Sequence, residues 1–300
     1  MKKIALTVGD PSGVGPEIIR AWCLANPRKS RGVEVLAHAR FLDTLPDNVG
    51  KREIASASSF EPGKPCKAGA RLALNALEAA AQGCVEGRYA AVATCPVSKI
   101  CMVEVYKDFV GQTEFFQQKW GGEAVMSFVG SRMIVALATW HIPLRDVPDA
   151  ISKENISRAV ESAEILARKI RGKAVPKIAL CGLNPHAGEG GILGSEEINL
   201  ITPLAKTLQK KYAGLSLALP PDTVFNRMAR GEFDAAVAMY HDQGLAPLKS
   251  VDFDNAVNVS MGLRFARTSP DHGTAFGIAG KGIASFKSLE SAINLAQILA

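Results

Sequence analysis

Short runs of β-branched and small apolar residues alternate with amphipathic stretches along this chain, and that alternation points to an α/β architecture. Ile4-Ala5-Leu6-Thr7-Val8 reads as a first strand. A glycine-rich turn follows, and Pro16 then suits the first position of a helix, where its missing N–H costs nothing. Residues 33–37 and 90–94 are further strands, and the alanine- and leucine-rich stretch 68–81 is a helix. The pattern predicts a helix over 152–170 with Ser152 as its N-cap and a closing helix over 288–299 with Ser288 in the same role. Residues 177–181 and 235–239 read as buried strands. One stretch breaks the alternation: the apolar runs 124–129 and 133–138 flank Gly130-Ser131, a hairpin signal with glycine first in a tight turn. The sheet is therefore expected to be mixed. No internal repeat and no linker rich in Gly, Ser and Pro marks a domain boundary.

Composition excludes several classes. With 47% hydrophobic and 21% charged residues over 300 positions, the chain is neither disordered nor too short for a large core. The net charge of +6 is not concentrated in any long basic run. Its densest spots, Arg168-Lys169-Ile170-Arg171-Gly172-Lys173 and Lys210-Lys211, read as solvated helix faces without interleaved aromatics, so no nucleic-acid partner is expected. A mild positive balance suits an anionic small molecule. The six cysteines form no CxxC pair and match neither a zinc ribbon nor a disulfide framework. No run of about 18 apolar residues predicts a membrane span, and the start turns polar too soon for a secretory signal. The expected compartment is a reducing cytoplasm.

The five histidines are the most informative set. His38 ends a strand beside Ala37 and Ala39 without polar company and reads as structural. His141 follows the run 134–140, His186 lies in a glycine-rich loop just after a strand, and His241 opens a polar loop, His241-Asp242-Gln243-Gly244, after another strand. His272 sits in Asp271-His272-Gly273-Thr274. Open α/β sheets bind ligands outside the carboxyl ends of their strands, where His141, His186 and His241 could converge on one ion. Three neutral imidazoles suit Zn²⁺ or a similar divalent ion with one position left for substrate. Such wide spacing is no local metal motif, and three unrelated loop histidines remain the plain alternative. The turn Gly9-Asp10-Pro11-Ser12-Gly13-Val14-Gly15-Pro16-Glu17 joins a strand to a helix as phosphate loops do, yet it is neither GxGxxG nor a P-loop. A tight structural turn explains it equally well.

The stretch Asp271-His272-Gly273-Thr274-Ala275-Phe276-Gly277-Ile278-Ala279-Gly280 resembles the cofactor loop of the isocitrate and isopropylmalate dehydrogenases, which bind nicotinamide without a Rossmann fingerprint. Together with the Gly9–Glu17 turn, Gly111-Gln112-Thr113-Glu114-Phe115-Phe116, the loop 182–191, the segment 240–245 and the segment 267–275, it resembles the 4-hydroxythreonine-4-phosphate dehydrogenase (PdxA) family over essentially the whole chain, in order. The resemblance implies an α/β isocitrate/isopropylmalate dehydrogenase-like fold, with a mixed central sheet flanked by helices and two lobes with a cleft. The lobes would be 1–120 plus 262–300 on the cofactor side and 121–261 on the metal and dimer side, together one catalytic unit over 1–300. It implies His141, His186 and His241 as ligands of one divalent metal per site, Zn before Mg or Co. It implies Gln112, Thr113, Lys249, Asn258 and Arg267 at substrate, and His272, Gly273, Thr274, Ala275 and Gly280 at NAD or NADP. Lys99, Asp222 and Asp242 are the candidates for proton relay, although a surface ion pair is the ordinary reading of a lone Lys or Asp.

The activity implied is oxidation of 4-phosphohydroxy-L-threonine to 2-amino-3-oxo-4-phosphooxybutanoate, a β-keto acid that loses CO₂ to give 3-amino-1-hydroxyacetone 1-phosphate on the route to vitamin B6. The partners implied are a phosphorylated small molecule and a second copy, in a homodimer with shared sites. The family usually reads Gly-His-Thr-Glu where this chain has Gly111-Gln112-Thr113-Glu114. Glutamine donates and accepts hydrogen bonds but carries no positive charge. That difference leaves room for a related dehydrogenase of 4-phospho-D-threonate, 4-phospho-D-erythronate or a cyclic diol. A metal-dependent hydrolase or lyase would use the three histidines without any nicotinamide, and a non-catalytic binding protein would tolerate their loss.

Overall fold

The computed structural model describes residues 2–54 and 60–300. Over these, the strands in chain order are β1 (Lys3–Thr7), β2 (Val33–Ala37), β3 (Gly50–Glu53), β4 (Tyr89–Thr94), β5 (Gly122–Val129), β6 (Ile134–Leu137), β7 (Ile178–Cys181), β8 (Leu215–Leu219), β9 (Ala235–Ala238), β10 (Val257–Leu263) and β11 (Ala266–Pro270). The chain divides into two units. The first comprises the described residues of Met1–Ala124 with Val257–Ala300, and the second is Val125–Ala256.

In the first unit the strands lie in the order β3-β2-β1-β4-β11-β10. Every ladder is parallel except the β10/β11 pair, where Val257 faces Pro270. Both faces of this sheet are covered, which is why its inner strands read as continuous apolar runs. Successive side chains of a strand point to opposite faces. Ile4 and Leu6 therefore join Val33, Val35 and the helices Gly15–Ala25 and Lys287–Leu299, with Trp22 and Ile293 fully buried between them. Ala5, Leu36 and Val92 face the other way, onto Leu74 and Leu77 of the helix Lys67–Val85 and onto Phe116 and Trp120 of the helix Gln112–Trp120.

In the second unit the order is β5-β6-β9-β7-β8. The hairpin expected at Gly130-Ser131 forms: β5 and β6 are antiparallel, and Gly130 N–H donates to Met133 O at 2.8 Å. The remaining ladders are parallel. Phe128, Val135, Leu137, Val224 and Leu248 form its core. The helix Lys153–Arg171 starts where Ser152 predicts: the Ser152 hydroxyl accepts Asn155 N–H while the Asn155 carbonyl accepts Ser152 N–H. Gly172 closes it in the left-handed conformation at φ 66°.

Two expectations need correction. The closing helix begins at Lys287 behind Phe286, and Ser288 is buried inside its first turn rather than capping it. Ser285 supplies the hydroxyl instead, accepting Lys287 N–H at 3.3 Å. His241 opens no loop: it is the first residue of the helix His241–Asp252, whose face formed by Gln243, Leu245 and Leu248 is buried.

All six cysteines are free thiols, and burial pushes those of Cys23, Cys84 and Cys181 up to about 12. No helix among the described residues is long and apolar enough to cross a membrane. His38 has the structural role expected of it: it is 3% exposed, with its ring edge-on to Phe60 at 4.7 Å between centroids. Burial, with the Arg40 charge adding to it, holds its imidazole below the ordinary 6.5. The unfolded chain therefore takes up this proton more readily than the folded one, and the fold loses stability as pH falls through 6.5. His38→Gln is expected to flatten that part of the curve of unfolding free energy against pH. An unchanged slope in denaturant titrations from about pH 7 to 5 would show that His38 protonates freely in the fold.

Candidate active site

In the second unit, two parallel strands run out side by side. Ala138 N–H donates to Ala238 O at 2.8 Å, and the Thr139 hydroxyl donates to Met239 O at 2.7 Å. These bonds carry the β6–β9 register past the strand ends, so that His141 and His241 arrive together with ring centroids 5.6 Å apart. Both line a cavity of about 400 Å³ with Trp140, Leu144, Tyr240 and Asp242. His141 is held at φ 49°, a left-handed conformation rare for a residue with a side chain and common where function demands a geometry. The Asp242 carboxylate lies 2.7 Å from His241 Nδ1. A carboxylate accepts only an N–H, so Nδ1 carries the proton and the lone pair is on Nε2. Two imidazoles at this spacing, one with its tautomer fixed by a carboxylate, are a donor set that fits a divalent ion.

His186 belongs to the stretch Pro185–Gly191, in which every residue from His186 to Gly190 has positive φ. Gln243, 8% exposed, ties this loop's root to the histidine pair: its amide donates to Gly182 O at 2.7 Å and its carbonyl accepts Met239 N–H at 2.7 Å. The buried Glu197 accepts Leu183 N–H and Asn184 N–H at 2.7 and 2.8 Å. Among the described residues no group of three or more His, Cys, Asp and Glu side chains is gathered to hold a metal ion. One chain thus brings His141 and His241 together but not His186. Asp222 is exposed in the first turn of the helix Pro221–Ala229, Asp242 is 84% exposed beside His241, and Lys249 is half-buried near the end of the helix His241–Asp252.

The first unit gathers a polar group around Thr94 at the carboxyl end of β4, reached by Arg267 from the start of β11. Arg267 is 4% exposed. Its guanidinium donates to Thr94 Oγ1 at 3.0 and 2.8 Å and to Asn258 Oδ1 at 3.0 Å, all neutral oxygens. Burial pushes its pKa down to about 10, against the pull of the Glu114 carboxylate. A desolvated cation whose hydrogen bonds all end on neutral acceptors is a receptor for an anion. Thr113, 3% exposed, shares a 2.9 Å hydroxyl–hydroxyl bond with Ser260, which orients it. The Gln112 amide donates to Cys95 O at 3.2 Å, and its Oε1 is buried without a partner. Lys99 is exposed at the start of the helix Lys99–Val103.

The turn Gly9–Glu17 supports the segment 272–284. Val14 N–H donates to Thr274 O at 3.0 Å, and a Cβ on Gly13 would lie 2.7 Å from that same oxygen, so only glycine permits the approach. The Glu17 carboxylate accepts Gly280 N–H at 2.7 Å, Ala284 N–H at 3.2 Å and Gly282 N–H at 3.4 Å. Ala275 is held at φ 48°. His272 Nδ1 lies 2.9 Å from Gly273 O, and its Nε2 is buried without a partner. In the same turn, Asp10 Oδ1 accepts Ser12 N–H at 3.0 Å, while Asp10 Oδ2 and Ser12 Oγ are buried and unpartnered. Burial raises the Asp10 carboxyl above 3.8, with that Ser12 bond opposing. Unpartnered buried polar atoms on one loop mark a place where a ligand or water completes the hydrogen bonding.

Sequence reasoning passed over Glu17, Thr94, Glu197, Gln243 and Ser260. Their partners are backbone groups or polar side chains, most of them far along the chain, so no spacing rule marks them. The one local sign is Glu17 in the first turn after Pro16, a place where a carboxylate is favourable for other reasons.

The sequence profile of the family described as "Pyridoxal phosphate biosynthetic protein PdxA" matches residues 20–296. A relative from Maricaulis maris, named 4-hydroxythreonine-4-phosphate dehydrogenase, is 36% identical over 99% of this chain and 97% of its own length. The crystal structure of the Klebsiella pneumoniae protein of that name is 32% identical, with a TM-score of 0.85 over 99% of this chain and 98% of that one. A terephthalate 1,2-cis-dihydrodiol dehydrogenase from Burkholderia xenovorans is 26% identical, with a TM-score of 0.74 over 99% of this chain and 98% of its own. Isocitrate dehydrogenase from Methylococcus capsulatus, 15% identical with a TM-score of 0.51 over 99% of this chain and 84% of its own, shares the fold.

The Glu17 contacts yield a direct test. Hydrogen bonds to a charged acceptor contribute about 1.5–3 kcal/mol each, so Glu17→Ala is expected to speed amide hydrogen exchange at Gly280 and Ala284 by about tenfold or more. Unchanged protection at these two amides would mean that the loop holds its shape without Glu17.

Proposed function

The chain belongs to the PdxA family of pyridoxal phosphate biosynthetic proteins, and on that premise we propose that it oxidises 4-phosphohydroxy-L-threonine with NAD or NADP and one divalent metal ion. The product, 2-amino-3-oxo-4-phosphooxybutanoate, is a β-keto acid whose ketone accepts the electron pair released as CO₂ leaves. The observation that carries this reading is Arg267, a buried guanidinium whose hydrogen bonds all end on neutral oxygens, which leaves it able to pair with a phosphate or a carboxylate.

When bound, the divalent ion supplies the Lewis acidity that eases loss of the hydroxyl proton, and the nicotinamide accepts the hydride. His141, His186 and His241 would hold the ion, Zn before Mg or Co, with Asp242 keeping the proton on Nδ1 of His241. Arg267 would bind the anionic group and Asn258 would fix the guanidinium plane. Thr113, oriented by Ser260, would donate to a substrate oxygen, with Gln112 and Lys249 completing the polar contacts. The loop that contains His272, Gly273, Thr274, Ala275 and Gly280 would take the nicotinamide cofactor, its backbone held by Glu17. Lys99, Asp222 and Asp242 are exposed enough to pass a proton to water.

A homodimer with shared sites belongs to the same reading. One chain gathers two of the three histidines, and a second copy would supply the remaining ligand. Exposed apolar side chains accompany the histidines, with Leu144 67% exposed beside the His141 segment and Ile192 81% exposed beside the His186 loop, and a second copy would cover them. The cytoplasm, where nicotinamide is available and thiols stay reduced, suits six free cysteines.

Gln112 favours a second reading, in which the substrate is 4-phospho-D-threonate, 4-phospho-D-erythronate or a cyclic diol. An uncharged amide there gives one cation fewer to an anionic substrate. The deciding experiment follows reduced-nicotinamide absorbance with NAD or NADP and added metal, for the phosphorylated amino acid and both sugar acids in parallel. Turnover of the amino acid that a chelator abolishes is expected. Turnover of a sugar acid alone would replace it by the second reading, and no reduction with any of them would overturn both. Arg267→Met should lower kcat/KM by about tenfold to a hundredfold with whichever phosphorylated substrate is used, the range of a lost charge-assisted hydrogen bond.

A further inference from the structure

We propose that Glu197 is the positioning residue that fixes the His186 loop, so that metal affinity depends on a carboxylate that does not itself touch the ion. The inference rests on the reading of His186 as a ligand. Glu197 is 3% exposed and opens the π-helical turn Glu197–Ile201, a rare form often found at functional sites. Its Oε1 accepts Leu183 N–H at 2.7 Å and Asn184 N–H at 2.8 Å, and its Oε2 accepts Asn184 Nδ2 at 3.0 Å. All three bonds come from the two residues that lead into Pro185 and His186. The loop also closes around the carboxylate on its far side. A Cβ on Gly188 would lie 2.6 Å from Oε2, and one on Gly182 would lie 3.0 Å from Oε1.

The loop needs such a hold. From His186 to Gly190 the φ angles are 52°, 52°, 79°, 43° and 66°, and three of these residues, His186, Ala187 and Glu189, carry side chains. L-residues visit this region singly, not in runs. A strained run persists only where its surroundings over-determine it, and here the buried acceptor at its root is Glu197. Asn184 adds a second tie, donating to Glu196 Oε2 at 2.7 Å. Residues that orient a metal ligand without binding the metal change its affinity by about 10- to 100-fold when removed.

The test uses the full chain, stripped with a chelator and titrated with Co²⁺. Co²⁺ affinity is read from its visible absorption and from competition with a chelating dye. Thermal melting and nicotinamide binding are measured on the same samples. Glu197→Gln sets an amide N–H₂ against the Asn184 donor and should weaken Co²⁺ binding about 10- to 100-fold, with nicotinamide affinity unchanged. Turnover of that variant should recover at saturating Co²⁺, a split between affinity and rate that a general loss of structure does not produce. Asn184→Ala removes one of the three bonds to Glu197 together with the tie to Glu196, leaves both backbone bonds to the carboxylate, and should weaken Co²⁺ binding by a smaller factor, which tests the idea even where the first variant fails to fold. Wild-type Co²⁺ affinity in both variants would overturn the proposal. So would a loss of nicotinamide affinity in parallel with that of Co²⁺. A wild-type chain that binds no Co²⁺ would instead overturn the reading of the histidines on which the proposal stands.

Discussion

A loop that leaves the carboxyl end of a parallel strand carries N–H groups that no ladder satisfies, and two glutamates meet that demand in this chain. Glu17 accepts three backbone N–H groups from residues 280–284, and Glu197 accepts those of Leu183 and Asn184. The stretch that carries His186 and the segment 272–284 are both loops of this kind. The left-handed run after Pro185 puts three residues with side chains at a cost of about 1–2 kcal/mol each, about 3–6 in all. Three hydrogen bonds to a carboxylate contribute about 1.5–3 kcal/mol each, about 4.5–9, less the cost of burying the charge. The two sums overlap, so the loop holds its strained shape while the carboxylate stays in place and has little to spare without it.

Charge placement separates the surface from the site. The ion pair Arg168–Glu164 on the helix Lys153–Arg171 and the pair Arg227–Glu232, between the helix Pro221–Ala229 and the turn after it, reach solvent, where such pairs add little to stability. Arg267 is different. It is desolvated enough to shift its pKa down to about 10, yet that value still leaves it charged at neutral pH. A fold that keeps a buried guanidinium against neutral oxygens loses stability by doing so. An anion bound there, as proposed, would recover that loss, because its charge would replace the water that Arg267 gave up.

Much of the fold could be read from local pattern. β1, β2, β4, β7 and β9 stand within a residue or so of the runs that predict them, because strands covered on both faces leave a continuous apolar signature. The hairpin at Gly130 is legible from turn chemistry, and Ser152 as a serine at the head of a helical run, while its partner Asn155 came only with the structure. Ser288 misled because a serine before an apolar run fits an N-cap equally well two residues late, and only packing puts it inside. His241 misled because a His-Asp-Gln-Gly string looks like a loop, while Gln243 in fact points inward to bridge the ends of β7 and β9. The histidines were found as residue types. Whether they meet is decided by the β6–β9 register, which puts His141 beside His241 and says nothing of His186. Glu17 and Glu197 were beyond reach, since a carboxylate that binds backbone leaves no mark in its partners' side chains.

Gln112 shows how substrate choice can change while this framework does not. Its amide is spent on Cys95 O at 3.2 Å, which fixes the side chain at the head of the helix Gln112–Trp120 and turns Oε1 into a buried acceptor. Thr113 next to it keeps its bond to Ser260, and Arg267 keeps Thr94 and Asn258. Neither contact passes through residue 112. A change of side chain there alters the charge offered to the ligand without disturbing the strands that hold the guanidinium or the glutamates that hold the loops. On the reading proposed above, selectivity would rest on a position that the fold does not need, and family membership would fix the architecture more tightly than it fixes the substrate.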